Sequence, residues 1–455
     1  MIRVPEGPRR HRLWLLLGLE TYLTATFLVY LVGPFAFAKP NAAEVAMLVL
    51  VYQGALLLGF LLAERFLGHG TDRPIKAPDW GGRGRLVATI GVGELLSLVF
   101  SYGSLASYAQ SWNPVRVLDA LIRSIQSPGA AYVANHAASS NAGTLLTKSS
   151  TLAAPLTFAT LVIGLYFWRK LPRVLQIIVV LDVFMQLLTA VIRGVNFGVF
   201  KVTAVVLTVA LLMMLRGARR RRLDRKAFYA RVAGAALIVS MFVGYFVVNT
   251  GDRMTVERPA SRAGVSIDYN SPLVKVLPEG AQSRAILVYM YLGEGYYGLS
   301  IAVDYPFMST FGLGNSVFLM DNAKRAFGWD LFPRTYVHRM DSEWSESQNW
   351  HTAYTWFAND VGLGGVVGVM LLLGVLLNVV LRGAMRRDLL AIAVLPLYLM
   401  MVIFLPANNV VMSNPLTCMP LVVITGTYVV VLVRRRQAGG RAFLPWGRTK
   451  SVSAE

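Results

Sequence analysis

The sequence predicts an all-α, polytopic membrane protein with about ten transmembrane helices and a large outer loop late in the chain. Three observations carry that prediction. Of the 455 residues, 55% are apolar and only 15% are charged, against about a quarter charged in a soluble domain. Several apolar runs reach or pass the ~20 residues a helix needs to cross a bilayer. The 44 Lys and Arg residues against 24 Asp and Glu give a net charge of +20, and the basic residues are not spread evenly. Disorder, a collagen-like chain and a disulfide scaffold are excluded, the last because Cys418 is the lone cysteine.

The spans are expected at 13–33, 44–64, 87–106, 150–168, 174–193, 198–215, 232–249, 363–381, 389–405 and 415–433. Ala36-Phe37-Ala38 resembles a signal cleavage site. The apolar stretch before it is too long for a signal core and contains Glu20, so a retained helix is expected. Six segments between or beyond these spans hold 29 of the 44 basic residues: the amino end, 65–86, 169–173, 216–231 with its Arg219–Arg222 block, 382–388, and the tail from Arg434. All six fall on one side of a ten-span chain. The positive-inside rule makes that side cytoplasmic, both termini included. The charge therefore reads as orientation, and no nucleic-acid partner is expected.

The chain divides into a membrane bundle over 1–249, a large outer loop over 250–350 with short helices, terminal membrane helices over 351–433 and a basic tail over 434–455. A second outward segment is 107–149. There Asn113 caps and Pro114 opens a helix whose apolar residues Val117, Leu118, Leu121, Ile122 and Ile125 share a face. This is either a helix lying on the membrane surface or a packed loop helix. The 250–350 segment is nearly charge-balanced and too long for a passive connector. Within it, 284–303 is aromatic and apolar but interrupted by Gly293, Gly295 and Gly298. It is not counted as a span; it would dip into the membrane or line a cavity.

Ionisable residues inside spans cost roughly 2.5–3.5 kcal/mol at a helix centre on insertion scales. Glu20, Glu94 and Asp182 are such residues. Two readings stand for them, a proton path and hydrogen-bonded ties between helices. Arg193 closes the fifth span in Leu188-Thr189-Ala190-Val191-Ile192-Arg193-Gly194, and Lys201 follows near the outward end of the sixth. Arg193 could simply snorkel to the interface; alternatively its fork of donors suits a phosphate or pyrophosphate. His351 stands at the outer entrance to the eighth span, with Tyr354 and Phe357 on the same helix face. It is an ordinary polar anchor or a group able to accept a proton near neutral pH. Asp341, Glu343 and Glu346 could hold a cation or lie on a solvated loop. No Cys/His metal spacing, P-loop or Ser-His-Asp arrangement is visible.

At these residues the chain resembles the O-antigen ligase and polymerase superfamily, membrane enzymes that assemble bacterial surface glycans. Three features carry the resemblance: His351, Asp360, Gly362 and Gly365 in the carboxy-terminal region; Leu188, Thr189, Arg193 and Gly194 mid-chain; and the Arg284 to Gly295 spacing in the outer loop. The family's acid is commonly Glu, and Asn or Ser often follows its His, where this chain has Asp360 and Thr352. Tyr289, Tyr291, Glu294, Tyr296 and Tyr297, with the glycine-rich 311–316 stretch, look more like a repeat-unit polymerase than a ligase.

The resemblance implies a glycosyltransferase of the bacterial inner membrane that needs no cofactor and no metal. It would join oligosaccharide repeat units carried on polyprenyl pyrophosphate. Arg193, then Arg284, would stabilise the leaving pyrophosphate, and His351 would take the proton of the attacking hydroxyl. Lys201, Tyr291, Glu294, Tyr297 and Tyr354 would contact substrate. Asp360, about 13 Å along the helix from His351 by the 1.5 Å rise, would cap or link helices. Membrane lipids and a chain-length regulator are the further partners implied. The rivals are a ligase that moves glycan onto lipid A core, and a lipid-linked sugar transporter coupled through Glu20, Glu94 and Asp182.

Overall fold

The structure, a computed structural model, describes residues 8–35, 37, 40–66, 83–139, 145–219, 225–257, 266–346 and 349–441. Much of the basic segments 65–86 and 216–231, and the tail beyond 441, lie outside the described residues.

Helices account for nearly all of it. They are α1 (Pro8–Val32), α2 (Ala42–Phe66), α3 (Arg83–Tyr108), α4 (Pro114–Gln126), α5 (Pro128–Ser139), α6 (Leu145–Tyr166), α7 (Arg173–Ile192), α8 (Asn196–Arg219) and α9 (Arg225–Glu257). There follow α10 (Pro272–Lys275), α11 (Glu279–Ala302), α12 (Val317–Phe327), α13 (Tyr336–Arg339), α14 (Ala353–Met385), α15 (Leu389–Phe404), α16 (Val410–Ser413) and α17 (Pro415–Arg441). Among the described residues there is no strand, only one antiparallel bridge between Phe35 and Ile267.

Among the described residues nine helices are long and apolar enough to cross a membrane: α1, α2, α3, α6, α7, α8, α9, α14 and α17. The chain is a multi-pass membrane protein. Each expected span coincides with one helix, but the ninth, α15, has 16 residues. At 1.5 Å per residue that is about 24 Å, short of the ~30 Å hydrocarbon core. It ends in the 405–409 turn, where Ala353 N donates to Leu405 O at 2.9 Å.

The bundle has two ends. One carries α4, α5 and the segment from 266 to 352, and is called the loop end below. At the other, the Arg12 guanidinium donates to both Glu64 carboxylate oxygens, at 3.1 and 2.6 Å, with both side chains 4% exposed. Asn378 Nδ2 donates to Glu64 Oε2 at 3.0 Å, so α1, α2 and α14 are tied at one point.

Helix α2 lies along α14, α3 packs between α6 and α7, and α1 runs beside α11. Gly59 and Gly374 allow the α2–α14 contact, since a Cβ on either would meet backbone of the facing helix. The glycines of α11 do not break it. Gly295 works in the same way, since a Cβ there would meet Pro406 O, and Gly298 faces the His351 and Trp344 rings closely; Gly293 would accept a Cβ in ordinary contact with Tyr30.

Helix α4 is capped as expected: Asn113 Oδ1 accepts from Val115 N at 2.9 Å. It buries Val117, Leu121 and Ser124, and leaves Val115, Leu118, Ile122 and Ile125 exposed as a second apolar stripe. The expected single apolar face is thus divided between the bundle and the outside.

Helix α14 is not one straight element. Gly362 has φ 70° and ψ 166°, which only glycine adopts without strain, and it breaks the helix after nine residues. Tyr52 Oη of α2 donates to Leu363 O just past the break, at 2.6 Å.

Candidate functional site: a cationic cavity beside an apolar groove

The helix order brings three polar stripes together near the loop end. Helix α7 contributes Gln186, Thr189 and Arg193, spaced to share one face. Helix α3 contributes Ser97, Ser101 and Ser104 at the same kind of spacing, and α8 contributes Lys201. With Ser150 and Thr157 of α6 they line a cavity of about 260 Å³. Hydroxyls, the amides of Gln186 and Asn414, and two cations converge on this space.

The turn that holds Arg193 is built around Gly194, at φ +63°. A Cβ there would meet Pro128 O at 2.7 Å and Tyr132 N at 3.1 Å, so α5 packs directly over it. Asn249 Nδ2 of α9 donates to Gly194 O at 3.1 Å. Asn196 Nδ2 donates to Thr250 Oγ1 at 2.9 Å. The Arg193 guanidinium lies over the Tyr108 ring, 5.3 Å from its centre. It forms no ion pair among the described residues, so its charge is available to a ligand.

Against this cavity lies a much larger one, about 770 Å³ and almost wholly apolar. Its walls are α1, α8, α9, α11 and α15, and its rings form a continuous series. Phe200 meets Phe242 at 5.5 Å and Phe404 at 4.6 Å; Phe246 meets Tyr291 at 4.9 Å; Tyr291 meets Trp350 at 4.4 Å. Val195 and Phe197, on the turn just after Arg193, line both spaces. A cavity lined by two cations and an apolar groove therefore share one short wall.

The structure brings together some of the expected site residues and not others. Arg193 and Lys201 share the polar cavity, and Tyr291 lines the groove. Arg284 is exposed, one turn before the groove-lining Val288 on α11, and belongs to neither lining. Glu294 is buried on α11. Tyr297 stacks on Phe37 at 4.9 Å and meets Trp344 edge-on at 4.8 Å. Tyr354 is buried against Tyr52. These last three lie in the packed core rather than in either cavity.

His351 is also outside both linings, although its neighbour Trp350 lines the groove. Its ring is 1% exposed, and neither nitrogen has a hydrogen-bond partner among the described residues. Burial pushes its pKa down to about 3, against a smaller opposing pull from Asp341. It is a neutral imidazole shut in with Trp344 and Gly298.

Asp360 does not meet His351. Its Oδ1 accepts from Thr310 Oγ1 at 2.6 Å and Gly314 N at 2.7 Å. Its Oδ2 accepts from Asn315 N at 3.0 Å and Asn315 Nδ2 at 2.7 Å. Asn359 adds bonds to Gly314 O and from Tyr336 N. The pair clamps the 310–336 segment onto the first part of α14.

The acidic trio divides its contacts. Tyr305 Oη donates to Glu343, and Glu346 N donates to Asp341 Oδ1. Among the described residues no three His, Cys, Asp or Glu side chains gather where a metal ion could be held.

Sequence reasoning missed the α3 serine stripe. Its signal was there to find: Ser97, Ser101 and Ser104 recur at intervals of four and three in an otherwise apolar span. Comparison of the chain with family models, curated proteins and solved structures returns no match.

Proposed function

We propose that the chain is a membrane glycosyltransferase that polymerises oligosaccharide repeat units carried on polyprenyl pyrophosphate, at the outer face of a bacterial inner membrane. One observation carries the reading: a cavity lined by two cations and several hydroxyls shares the Val195–Phe197 wall with a long apolar groove. That combination suits a ligand with an anionic head and an isoprenoid tail. The head would lie on Arg193 and Lys201, and the tail along Phe200, Phe242 and Phe246.

In this reading Arg193 stabilises charge as the pyrophosphate leaves. Preorganised donors aimed at developing charge are worth about 10²–10³ in rate. Its guanidinium is held by the Gly194 turn and the Tyr108 ring, so little is spent on ordering it. The attacking hydroxyl gives its proton to His351, whose ring nitrogens have no hydrogen-bond partner among the described residues and are reached once the Trp344 ring beside them turns aside. Asp360 holds the outer segment in place and takes no part in proton transfer.

A lipid-linked sugar transporter is the second reading, favoured by the buried carboxyls Glu94 and Asp182. The deciding experiment incubates the purified protein with a defined lipid-linked repeat unit, with and without lipid A core, and resolves the products on a gel. A ladder supports the polymerase. A single transfer to lipid A core replaces it with a ligase. Vectorial lipid movement without product replaces it with a transporter.

A further inference from the structure

Directly beneath the cationic cavity two carboxyl groups meet across the α3–α7 contact. Glu94 and Asp182 are both 0% exposed. Each lies one turn, about 5 Å by the helical rise, below a cavity-lining residue of its own helix, Ser97 and Gln186. Gln186 Nε2 donates to Asp182 Oδ2 at 2.7 Å and stands 3.5 Å from Ser97 Oγ. Among the described residues three carboxyl oxygens have no hydrogen bond, Glu94 Oε1, Glu94 Oε2 and Asp182 Oδ1, although the hydroxyls of Thr160 and Ser97 stand near enough to act on the pair. Buried acceptors of this kind are rare and call for an explanation. Between two carboxyls in electrostatic contact the smallest donor is a proton, which makes one group a donor to the other. It also removes the repulsion that two buried carboxylates would suffer side by side.

The charged surroundings are few. From α8, Lys201 acts on Asp182, and Arg193 of α7 acts in turn on Lys201. From α6 the neighbour is the hydroxyl of Thr160. Lys148 of α6 and Arg116, Asp119 and Arg123 of α4 lie toward the loop end, away from the pair. Among the described residues Lys201 is thus the one cation that both acts on the pair and lines the cavity.

We propose that Glu94 and Asp182 form a proton-binding site coupled to the cavity, so that an anionic lipid head group enters together with a proton taken up from solvent. This rests on the head-group reading of the cavity given above. With the cavity empty, the pair holds one proton, and its remaining negative charge is balanced by Lys201. An arriving phosphate takes over the Lys201 ammonium. Asp182 then loses its compensating cation, and a proton from water replaces it. Departure of the head group returns that proton. The head site is thereby kept from being neutralised by its own carboxylates while it is filled.

Isothermal titration of polyprenyl pyrophosphate into the full-length protein in detergent, run in two buffers of different ionisation enthalpy, reads the protons taken up per lipid bound. Wild type should take up close to one proton more than Asp182→Asn. Its affinity should fall by up to tenfold more per unit rise in pH than that of the variant, the slope that one linked proton sets. The double variant Glu94→Gln/Asp182→Asn, in which two amides satisfy each other, should behave as Asp182→Asn does; its elution as a single monodisperse peak checks folding. Equal proton uptake in wild type and both variants overturns the coupling and leaves the head-group cavity standing. Failure of wild type to bind the lipid at all overturns both.

Discussion

Replacing Asp360 with asparagine should destabilise the protein by about 2 kcal/mol, although the two side chains are nearly the same size. The reason lies in how its oxygens are used. One faces Thr310 Oγ1 and Gly314 N, and the other faces both the backbone and side-chain nitrogens of Asn315. Asparagine can keep one pair. Turned so that its oxygen keeps Asn315, its amide nitrogen faces Thr310 Oγ1 and Gly314 N. The Thr310 hydroxyl can accept from it while donating to Asn359 O at 2.6 Å, but Gly314 N is an obligate donor, so one charge-assisted hydrogen bond is lost. Such a bond is worth about 1.5–3 kcal/mol, and the half-buried position of Asp360 favours the lower part of that range. Asp360→Ala removes all four and should cost about 4–5 kcal/mol. Asn315→Ala should cost less in the Asp360→Asn background than in wild type, because its donors there meet a neutral amide oxygen instead of a carboxylate. The assays are unfolding in detergent and limited proteolysis of the 304–346 segment, which should be cut faster. An Asp360→Asn protein that unfolds and resists protease like wild type, yet makes no polymer, would refute the clamp and place Asp360 in the chemistry.

Arg193→Ala should lower the polymerisation rate about 10²-fold or more with normal membrane insertion, and Arg193→Lys should recover only part of it, because an ammonium lacks the fork of donors; full-length polymer from Arg193→Ala sinks the head-group assignment. Gly194→Ala should lose activity through the turn, since a Cβ would press on Pro128 O at 2.7 Å, and circular dichroism should show the helices retained. Arg12→Ala should destabilise by about 3 kcal/mol, since it takes two charge-assisted hydrogen bonds from the buried Glu64 and leaves it Asn378 as a donor, while Arg12→Met with Glu64→Leu should cost less; thermal melting distinguishes them. Burial, with Asp341 and Asp321 nearby, raises the Glu346 pKa to about 7. The folded state therefore binds more protons than the unfolded one between about pH 4.5 and 7, so stability should fall as pH rises through that window. Glu346→Gln should flatten the slope, and an unchanged slope would show that another group is responsible.

The membrane helices were readable because long apolar runs leave one structural solution in a bilayer. Arg193 and Lys201 were readable as a pair because both lie near the same ends of consecutive spans. Glycines misled at α11, where 293, 295 and 298 read as interruptions. A glycine costs a helix about 1 kcal/mol in isolation, but here Gly295 admits the Pro406 backbone and Gly298 the His351 and Trp344 rings, and close packing outweighs that cost. His351 could be recognised as a candidate base by its chemistry, but not its enclosure. That depends on Trp344 and on α11, more than fifty residues earlier in the case of Gly298, and no local pattern encodes such a meeting. The groove was hidden for a similar reason, since its walls come from five helices with no common spacing.

The break at Gly362 changes where the chain should be cut. Residues 353–361 are continuous with the membrane part of α14, yet Asn359 and Asp360 fasten them to the 310–336 segment rather than to the bundle beyond. Anyone building chimaeras from this chain and a distant counterpart should place the junction at 362. A junction at 352 would separate each carboxylate and amide of the clamp from the loop it was shaped to hold, and would graft a new outer loop onto a stub that has nothing to fit it.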